Sequence, residues 1–269
     1  MPRICGFPRF HTRYSGGSFT LQSSQFTITV AGAAMPVYLA RPDGDEPRGA
    51  VIVLQEIFGV NTEVRRITDL VAAAGYVGIA PNYYYRTHPD LNVPYTNEGL
   101  AKGFEAAGQV TVDNLKTDLR SVIDYLNDQP FVHNNHIATW GFCFGGSVAF
   151  ISSMMGGLSA AIAFYGGHIA QAMPNSDFVP IDHAADVHIP LLLVFGGKDA
   201  YISQEAVDKI ESGLKAAGKR FEVQVYPDQD HAFFRDSSQS MNDATGDALS
   251  RDVSDAWERV QAFLGAHLT

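Results

Sequence analysis

Short apolar segments alternate with amphipathic segments along most of the chain, and this alternation limits the possible fold more than any other feature. Runs that are apolar on both faces suit strands buried on both sides, which is typical of a parallel sheet. The runs are AVIVLQE, YVGIAP, HIATWG, AAIAFYG, IPLLLVFGG and FEVQVYP. Between them, apolar residues recur at helical spacing, as in Val64, Ile67, Val71 and Ala74 or in Leu115, Leu119, Val122 and Leu126. The pattern predicts an α/β protein whose mostly parallel central sheet carries helices on both faces.

The two ends of the chain differ from its middle. Residues 1–24 are rich in Arg, Gly, Ser and Phe without periodicity, and we expect an N-terminal extension there. Residues 25–30 and 35–41 alternate well enough for an antiparallel pair, and residues 247–268 predict a closing helix through Val253, Trp257, Val260 and Leu264. No linker divides residues 25–269, which are therefore predicted to be one domain. Residues 82–112 and 166–188 lack a regular pattern and are expected to form a lid or pocket wall.

The charge balance and the two cysteines bear on partners and location. The formal net charge is -10, and there is no basic stripe to neutralise phosphates, so we expect no nucleic acid partner. No apolar run approaches the ~20 residues of a membrane span, and the start of the chain lacks the apolar core of a secretory signal. With only Cys5 and Cys143, a disulfide framework is not expected. We predict a cytoplasmic protein.

One of these cysteines lies in a motif with chemical meaning. Gly141-Phe142-Cys143-Phe144-Gly145 has the form Gly-x-nucleophile-x-Gly, which is typical of the strained strand-to-helix turn of α/β-hydrolases. The glycines permit the cramped turn, and the N-terminus of the following helix favours a thiolate. An inert cysteine buried under a helix is the alternative.

Polar residues that directly follow the predicted strands are candidate site residues, because ligands bind at the carboxyl ends of strands in an open parallel sheet. They are Glu56, Arg86, Cys143, Asp199 and His231. The last three follow the α/β-hydrolase order of nucleophile, acid and histidine. His231 would take the thiol proton or protonate a leaving group, and Asp199 would orient the imidazole. Considered by itself, Asp199 could instead be the N-cap of a helix that begins near Ser203.

The remaining chemistry at the predicted strand ends consists of backbone donors. The N–H groups of Phe144, just after the nucleophile, and of Ile57, after the first core strand, are candidate oxyanion donors. No pair of histidines has metal-ligand spacing with a third partner, so no metal is expected. The chain also lacks a phosphate loop and a dinucleotide fingerprint, and we expect no cofactor.

Five motifs taken together resemble the dienelactone hydrolase family. They are QEIFGVN (55–61), APNYYYR (80–86), GFCFGG (141–146), GGKDA (196–200) and HAFFR (231–235). The resemblance implies an α/β-hydrolase with a Cys-His-Asp triad that acts on enol lactones such as carboxymethylenebutenolide, in the degradation of aromatic rings. It also implies that Arg86 and Arg235 bind a substrate carboxylate, and that Glu56 deprotonates the thiol once substrate arrives.

Physical arguments favour the same kind of small-molecule substrate. A protein of charge -10 repels a carboxylate unless an arginine fork reverses the field locally. A thiolate leaves a tetrahedral intermediate more easily than an alkoxide, so a cysteine nucleophile suits an ester that expels a stabilised enolate. Two alternatives stay open, namely a broader carboxylesterase or thioesterase on the same scaffold and a catalytically silent protein that binds a ligand in the pocket.

Glu56 has two interpretations. It is either a strand-end carboxylate, solvated or capping a helix near Thr62, or a switch. As a switch, it would pair with Arg235 in the empty site until a substrate carboxylate competes for that arginine. The released glutamate would then take the proton of Cys143, with His231 as the alternative base.

Overall fold

Nine strands form one sheet in the computed structural model, which describes residues 9–10, 20–235 and 247–268. They are β1 Arg9–Phe10, β2 Leu21–Val30, β3 Ala33–Pro42, β4 Arg48–Leu54, β5 Val77–Pro81, β6 Val132–Phe142, β7 Ala160–Phe164, β8 Leu191–Gly196 and β9 Phe221–Tyr226. Their order in the sheet is β1-β2-β3-β5-β4-β6-β7-β8-β9. Neighbouring strands pair in parallel along the part of this order that runs β5-β4-β6-β7-β8-β9. They pair antiparallel along the part that runs β1-β2-β3-β5. The mostly parallel sheet and the antiparallel pair are as the sequence predicts.

Helices cover this sheet. They are α1 Thr62–Ala73, α2 Asn97–Ala107, α3 Val112–Asn127, α4 Phe144–Ser152, α5 Gln204–Ala216 and α6 Asp247–His267, with a 3-10 helix at Pro180–Asp186. The apolar faces predicted for α1 and α3 are buried, apart from Ala74, which lies just past the end of α1. Polar side chains cap α1, α2, α3 and α5 at their N-termini. Asn61 accepts from the N–H of Val64 at the start of α1, so the cap near Thr62 is Asn61 rather than Glu56.

Helix α2 corrects the expectation that residues 82–112 are irregular throughout. Its buried residues are all small, Gly99, Gly103, Ala106 and Ala107, so it has no strong apolar periodicity for the sequence to show. Gly103 explains the packing, because a Cβ atom there would lie 2.7 Å from the carbonyl oxygen of Ile57. Close backbone approach therefore holds α2 against the segment that follows β4.

The N-terminal part of the domain begins earlier than the sequence pattern indicates. Strand β2 starts at Leu21, which pairs with Pro42, so residues 21–24 belong to the sheet rather than to the extension. Of the rest of the predicted extension, the structure describes residue 20 and strand β1, which pairs with β2. Cys5 lies outside the described residues.

Candidate active site

Cys143 lies at a sharp turn between β6 and α4, where the motif Gly-x-Cys-x-Gly places it. Its φ of 54° and ψ of -115° are unusual for a residue with a side chain, and such conformations cost about 1–3 kcal/mol. The flanking glycines make the turn possible, since a Cβ at Gly141 would overlap the carbonyl of Gly145, and one at Gly145 would overlap that of Leu54. The thiol is partly exposed and stands at the N-terminus of α4. An accessible thiol on a strained turn fits a nucleophile better than an inert buried cysteine.

His231 and Asp199 form a close pair beside this thiol. His231 Nδ1 lies 2.7 Å from Asp199 Oδ2, and the imidazole is near enough to Cys143 for the charge of a thiolate to raise its pKa. Because Nδ1–H donates to the carboxylate, Nε2 is the ring nitrogen left for the thiol. The Asp199 side chain is fully buried. His231 therefore interacts with both Asp199 and Cys143, an order that suits an orienting acid, a base and a nucleophile.

Asp199 has a local structural role as well. Its Oδ1 accepts from the backbone N–H groups of Tyr201, at 2.8 Å, and Ile202, at 3.1 Å. The cap of α5 is Ser203, whose hydroxyl accepts from the N–H of Ala206. Ser203, and not Asp199, is therefore the N-cap of α5. Asp199 uses one oxygen to order the preceding turn and the other to orient His231.

The imidazole of His231 holds its proton tightly in this setting. Burial by itself would lower its pKa, but the negative charge of Cys143 as a thiolate and the hydrogen bond to Asp199 outweigh burial and raise the pKa from 6.5 to about 10. An imidazolium therefore persists over the neutral range once the thiolate has formed. In that state His231 is an acid that can protonate a leaving group.

Aromatic side chains fix the loop after β9 that carries His231 and Arg235. Phe234 packs with its ring 5.4 Å from that of Trp140 and 5.3 Å from that of Phe164, deep in the core. Tyr165 and Tyr201 place their rings 5.2 Å and 5.1 Å from the His231 imidazole. The loop is thus anchored on one side by the core, and its histidine is enclosed between two tyrosines.

Glu56 and Arg235 form a buried ion pair next to the triad. Arg235 Nη2 lies 2.8 Å from Glu56 Oε1, and their side chains are only 10% and 6% exposed. Burial would lower the pKa of the Arg235 guanidinium, but the charge of Glu56 outweighs burial and raises it. Arg235 Nε is also buried and has no hydrogen-bond partner among the described residues. The guanidinium therefore keeps a donor that Glu56 does not use.

Tyr95 is a site residue that the sequence does not reveal. Its hydroxyl donates to Glu56 Oε2 at 2.8 Å, and its ring lies 3.7 Å from Arg235 Cζ in a cation–π contact. It therefore holds both members of the ion pair. Tyr95 comes from the loop before α2 rather than from a strand end, so a search of strand ends cannot find it.

Arg86 has a different environment from the one that substrate binding requires. Its Nη1 and Nη2 each lie 2.7 Å from an oxygen of Asp118 on α3, and its guanidinium stacks over the ring of Tyr85. Asp118 is 2% exposed and also accepts from the Tyr85 hydroxyl at 3.0 Å. Arg86 thus anchors the loop after β5 to α3. Its contact with substrate stays a prediction of the sequence, and this pairing argues against it.

The segments that carry the expected oxyanion donors lie side by side. Phe144 is the first residue of α4, and Ile57 follows the end of β4; both are buried, at 2% and 4% exposure. Gly145 packs directly on the backbone of Leu54 and Gln55, which brings the start of α4 against the end of β4. This arrangement suits two N–H groups that converge on one oxygen.

Two searches of the described residues bear on other kinds of site. No group of three or more His, Cys, Asp or Glu side chains in ranges 9–10, 20–235 and 247–268 is placed to hold a metal ion. Within the same ranges, no helix has the length and apolar character needed to cross a bilayer.

The strand order, the strained turn and the contacting Cys, His and Asp define an α/β-hydrolase. The chain belongs to the dienelactone hydrolase family, whose model matches residues 35–268. This confirms the family that the five motifs indicate. Hydrolase chemistry is the activity that this membership supports.

Individual relatives are similar in sequence to this chain over most of its length. A Synechocystis protein named "Putative carboxymethylenebutenolidase" is 31% identical over 248 residues, which cover 92% of this chain and 98% of the relative. A protein of the same name from Escherichia coli K12 is 34% identical over 240 residues, which cover 87% of this chain and 83% of the relative. The crystal structure titled "Putative Dienelactone Hydrolase" from Klebsiella pneumoniae is 29% identical, with a TM-score of 0.79 over 91% of this chain and 98% of that chain.

Proposed function

We propose that this protein opens enol lactones of the dienelactone type through a thioester on Cys143. The observation that carries the proposal is the contact of Cys143 with a His231 that Asp199 orients at 2.7 Å, beside a buried arginine–glutamate pair. The family membership and the carboxymethylenebutenolidase names of the relatives support the lactone substrate. The sequence adds two further predictions, a cytoplasmic location and a role in aromatic-ring degradation.

The first step is removal of the thiol proton. In the resting site Glu56 is held by Arg235 and Tyr95. A substrate carboxylate can bind the same guanidinium, which has the unused donor Nε as well as Nη2. Glu56 is then free to accept the proton of the Cys143 thiol, while His231 is the alternative base. The thiolate forms beside the imidazole, and its charge keeps His231 protonated.

The second step is acyl transfer. The sulfur of Cys143 attacks the lactone carbonyl carbon, and the carbonyl electron pair moves to the oxygen, which the N–H groups of Phe144 and Ile57 would bind. When the carbonyl reforms, the ring C–O bond breaks and its electron pair leaves with the enolate oxygen. His231 supplies the proton, and the enol becomes a ketone. Water then hydrolyses the thioester, so one water is consumed for each ring opened.

Arg235 is the residue that would select a carboxylate. Its side chain is 10% exposed, and a charge-assisted hydrogen bond contributes about 1.5–3 kcal/mol, or roughly ten- to a hundredfold in specificity. Because Asp118 engages both terminal nitrogens of Arg86, we assign the substrate carboxylate to Arg235 alone.

A broader carboxylesterase or thioesterase is the second candidate. One observation favours it: with Arg86 held by Asp118, the site offers a single arginine to a substrate anion. Selection for a carboxylate would then be weaker than a pair of arginines would impose, and neutral activated esters would also be turned over.

The experiment compares a carboxylate-bearing enol lactone with its methyl ester. We expect Arg235→Ala to lower kcat/KM for the charged lactone by about ten- to a hundredfold and for the ester by much less. Arg259→Ala, which removes an exposed arginine of α6 paired with Asp255, is the matched control and should change neither value. Cys143→Ala should abolish turnover of both. Equal losses on both substrates in Arg235→Ala would reject carboxylate selection, and residual turnover in Cys143→Ala would reject the thioester.

A further inference from the structure

Tyr83 contacts both segments that would carry the oxyanion donors, although it belongs to neither. It lies in the loop after β5 and is 3% exposed. Its hydroxyl donates to the backbone carbonyl of Gln55, just past the end of β4, and its ring lies 6.0 Å from the ring of Phe144 at the start of α4. One side chain from a third element therefore connects the two.

The Gln55 carbonyl needs such a partner. The pairing of β4 with β6 ends at Leu54 and Gly141, so Gln55 lies beyond the ladder. Gln55 is 0% exposed, and water therefore cannot replace a missing protein donor. A buried carbonyl without a partner costs about 1–3 kcal/mol. The Tyr83 hydroxyl satisfies it and thereby fixes the peptide plane that precedes Glu56.

The Ile57 carbonyl, two residues after that of Gln55, is closely packed. Helix α2 packs on the Ile57 carbonyl through Gly103, where a Cβ would lie 2.7 Å from that oxygen. The peptide that bears the Ile57 N–H thus lies between two fixed carbonyls, those of Gln55 and Ile57. Because each residue has only two soft backbone dihedrals, restraining both flanking peptide planes narrows the range of directions open to this N–H.

We propose that Tyr83 is a positioning residue for the oxyanion hole, which holds the Ile57 N–H at a fixed place relative to the Phe144 N–H. The inference rests on the proposed function, in which these two donors bind the developing oxyanion. Such donors act only when both lie about 2.7–3.1 Å from the same oxygen. Loss of the Tyr83 hydroxyl would leave the Gln55 carbonyl unpaired, and the peptide would rotate toward another donor.

The protonation state of Tyr83 is compatible with this role. Its burial raises the pKa of the phenol well above 10, and the neighbouring Tyr84, Cys143 and Glu56 raise it further as charged groups. The hydroxyl therefore stays protonated at neutral pH and remains a donor.

The test variant is Tyr83→Phe, and its matched control is Tyr85→Phe. Both remove one buried phenol oxygen from the same loop, but the Tyr85 hydroxyl donates to Asp118 on α3 rather than to a carbonyl of a donor segment. Two reagents separate the oxyanion hole from the thiol. The sulfur of Cys143 adds to the carbonyl carbon of methyl trifluoromethyl ketone, and the carbonyl oxygen becomes a negative oxygen in the oxyanion hole. Iodoacetamide alkylates the same sulfur with loss of iodide and creates no oxyanion.

We expect Tyr83→Phe to lower kcat on p-nitrophenyl acetate and the affinity for the ketone together, by roughly 10- to 100-fold, since complete loss of one donor costs about 10²–10³. KM and the rate of alkylation should stay within about twofold of the native values, as a role confined to the hole requires. Tyr85→Phe should keep the native ketone affinity. Native ketone affinity in Tyr83→Phe, or an equal loss of alkylation, overturns the proposal.

A second variant decides the question if Tyr83→Phe does not fold. Phe144→Leu keeps the backbone donor and removes the ring contact with Tyr83, so weaker ketone binding at an unchanged alkylation rate supports the proposal, and native binding refutes it. Failure of the underlying function looks different. If iodoacetamide does not inactivate the native enzyme even when a non-reactive carboxylate is present to release Glu56, Cys143 is not its nucleophile, and Tyr83 has no oxyanion to serve.

Discussion

Replacing Arg86 by alanine separates an anchoring role from a substrate-binding role. The structure engages both terminal nitrogens of Arg86 with Asp118, whose side chain is 3% exposed, while the Arg86 side chain is 27% exposed. Without the arginine, the buried Asp118 carboxylate still accepts from the Tyr85 hydroxyl but has lost its counter-charge. Breaking a fully buried ion pair on one side costs about 3–5 kcal/mol. Because Arg86 is partly exposed, we expect a loss of about 2–4 kcal/mol.

The assay is urea unfolding of the native enzyme and the variant, with the thermal midpoint as a second reading. For a chain of this size, 1 kcal/mol corresponds to about 2–4 °C, so Tm should fall by roughly 5–15 °C. The double variant Arg86→Ala with Asp118→Asn removes the unpaired charge and should regain at least ~1 kcal/mol. The ratio of kcat/KM for a carboxylate-bearing lactone to that for its methyl ester should stay within about twofold of the native ratio. A tenfold fall in that ratio at native stability would refute the reasoning and assign Arg86 to the substrate.

Three further outcomes are expected. Cys143→Ala should abolish turnover while the unfolding midpoint stays close to native, and loss of its fold would instead indicate a packing role for Cys143. Cys5→Ala should keep full activity. By NMR, the pKa of His231 should lie above 6.5, and near 10 where Cys143 is a thiolate. The stabilising contribution of His231, complete below pH 6.5, should be lost as the pH rises through this raised pKa. In Cys143→Ala the pKa should fall, because the thiolate is one of the groups that raise it. Tyr95→Phe should speed alkylation of Cys143 in the absence of substrate by roughly tenfold, because Glu56 loses a hydrogen bond worth about 1.5 kcal/mol; an unchanged rate would mean that Tyr95 does not restrain Glu56.

Much of the candidate site follows from the sequence because its residues lie where strands end. Cys143, Asp199 and His231 come directly after β6, β8 and β9 or a few residues later, and parallel strands bring such residues to one edge of the sheet. The structure brings these three together and contains the ion pair of Glu56 with Arg235 that the switch interpretation of Glu56 requires. Their catalytic roles remain proposals.

Other features were out of reach because their sequence signals are weak or ambiguous. Helix α2 buries glycine and alanine, which pack by close backbone approach and leave no apolar stripe. Arg86 follows a strand just as Glu56 does, so its position alone could not show that Asp118, 32 residues later, engages it. Tyr83 and Tyr95 lie in loops, where aromatic residues have no periodicity to interpret.

The sequence by itself determined the architecture, since strands buried on both faces and helices buried on one leave periodic patterns in the chain. It also determined the candidate nucleophile, because only the glycines at 141 and 145 permit the turn on which Cys143 stands. The partners of other charged and hydroxyl groups, those of Arg86 and Tyr95, were decided by the tertiary structure alone. Whether Arg86 faces Asp118 or a ligand, and whether Tyr95 holds Glu56, depends on which side chains approach within about 3 Å after the helices and loops have packed. That distance is set by contacts between remote segments, and no local pattern in the chain records it.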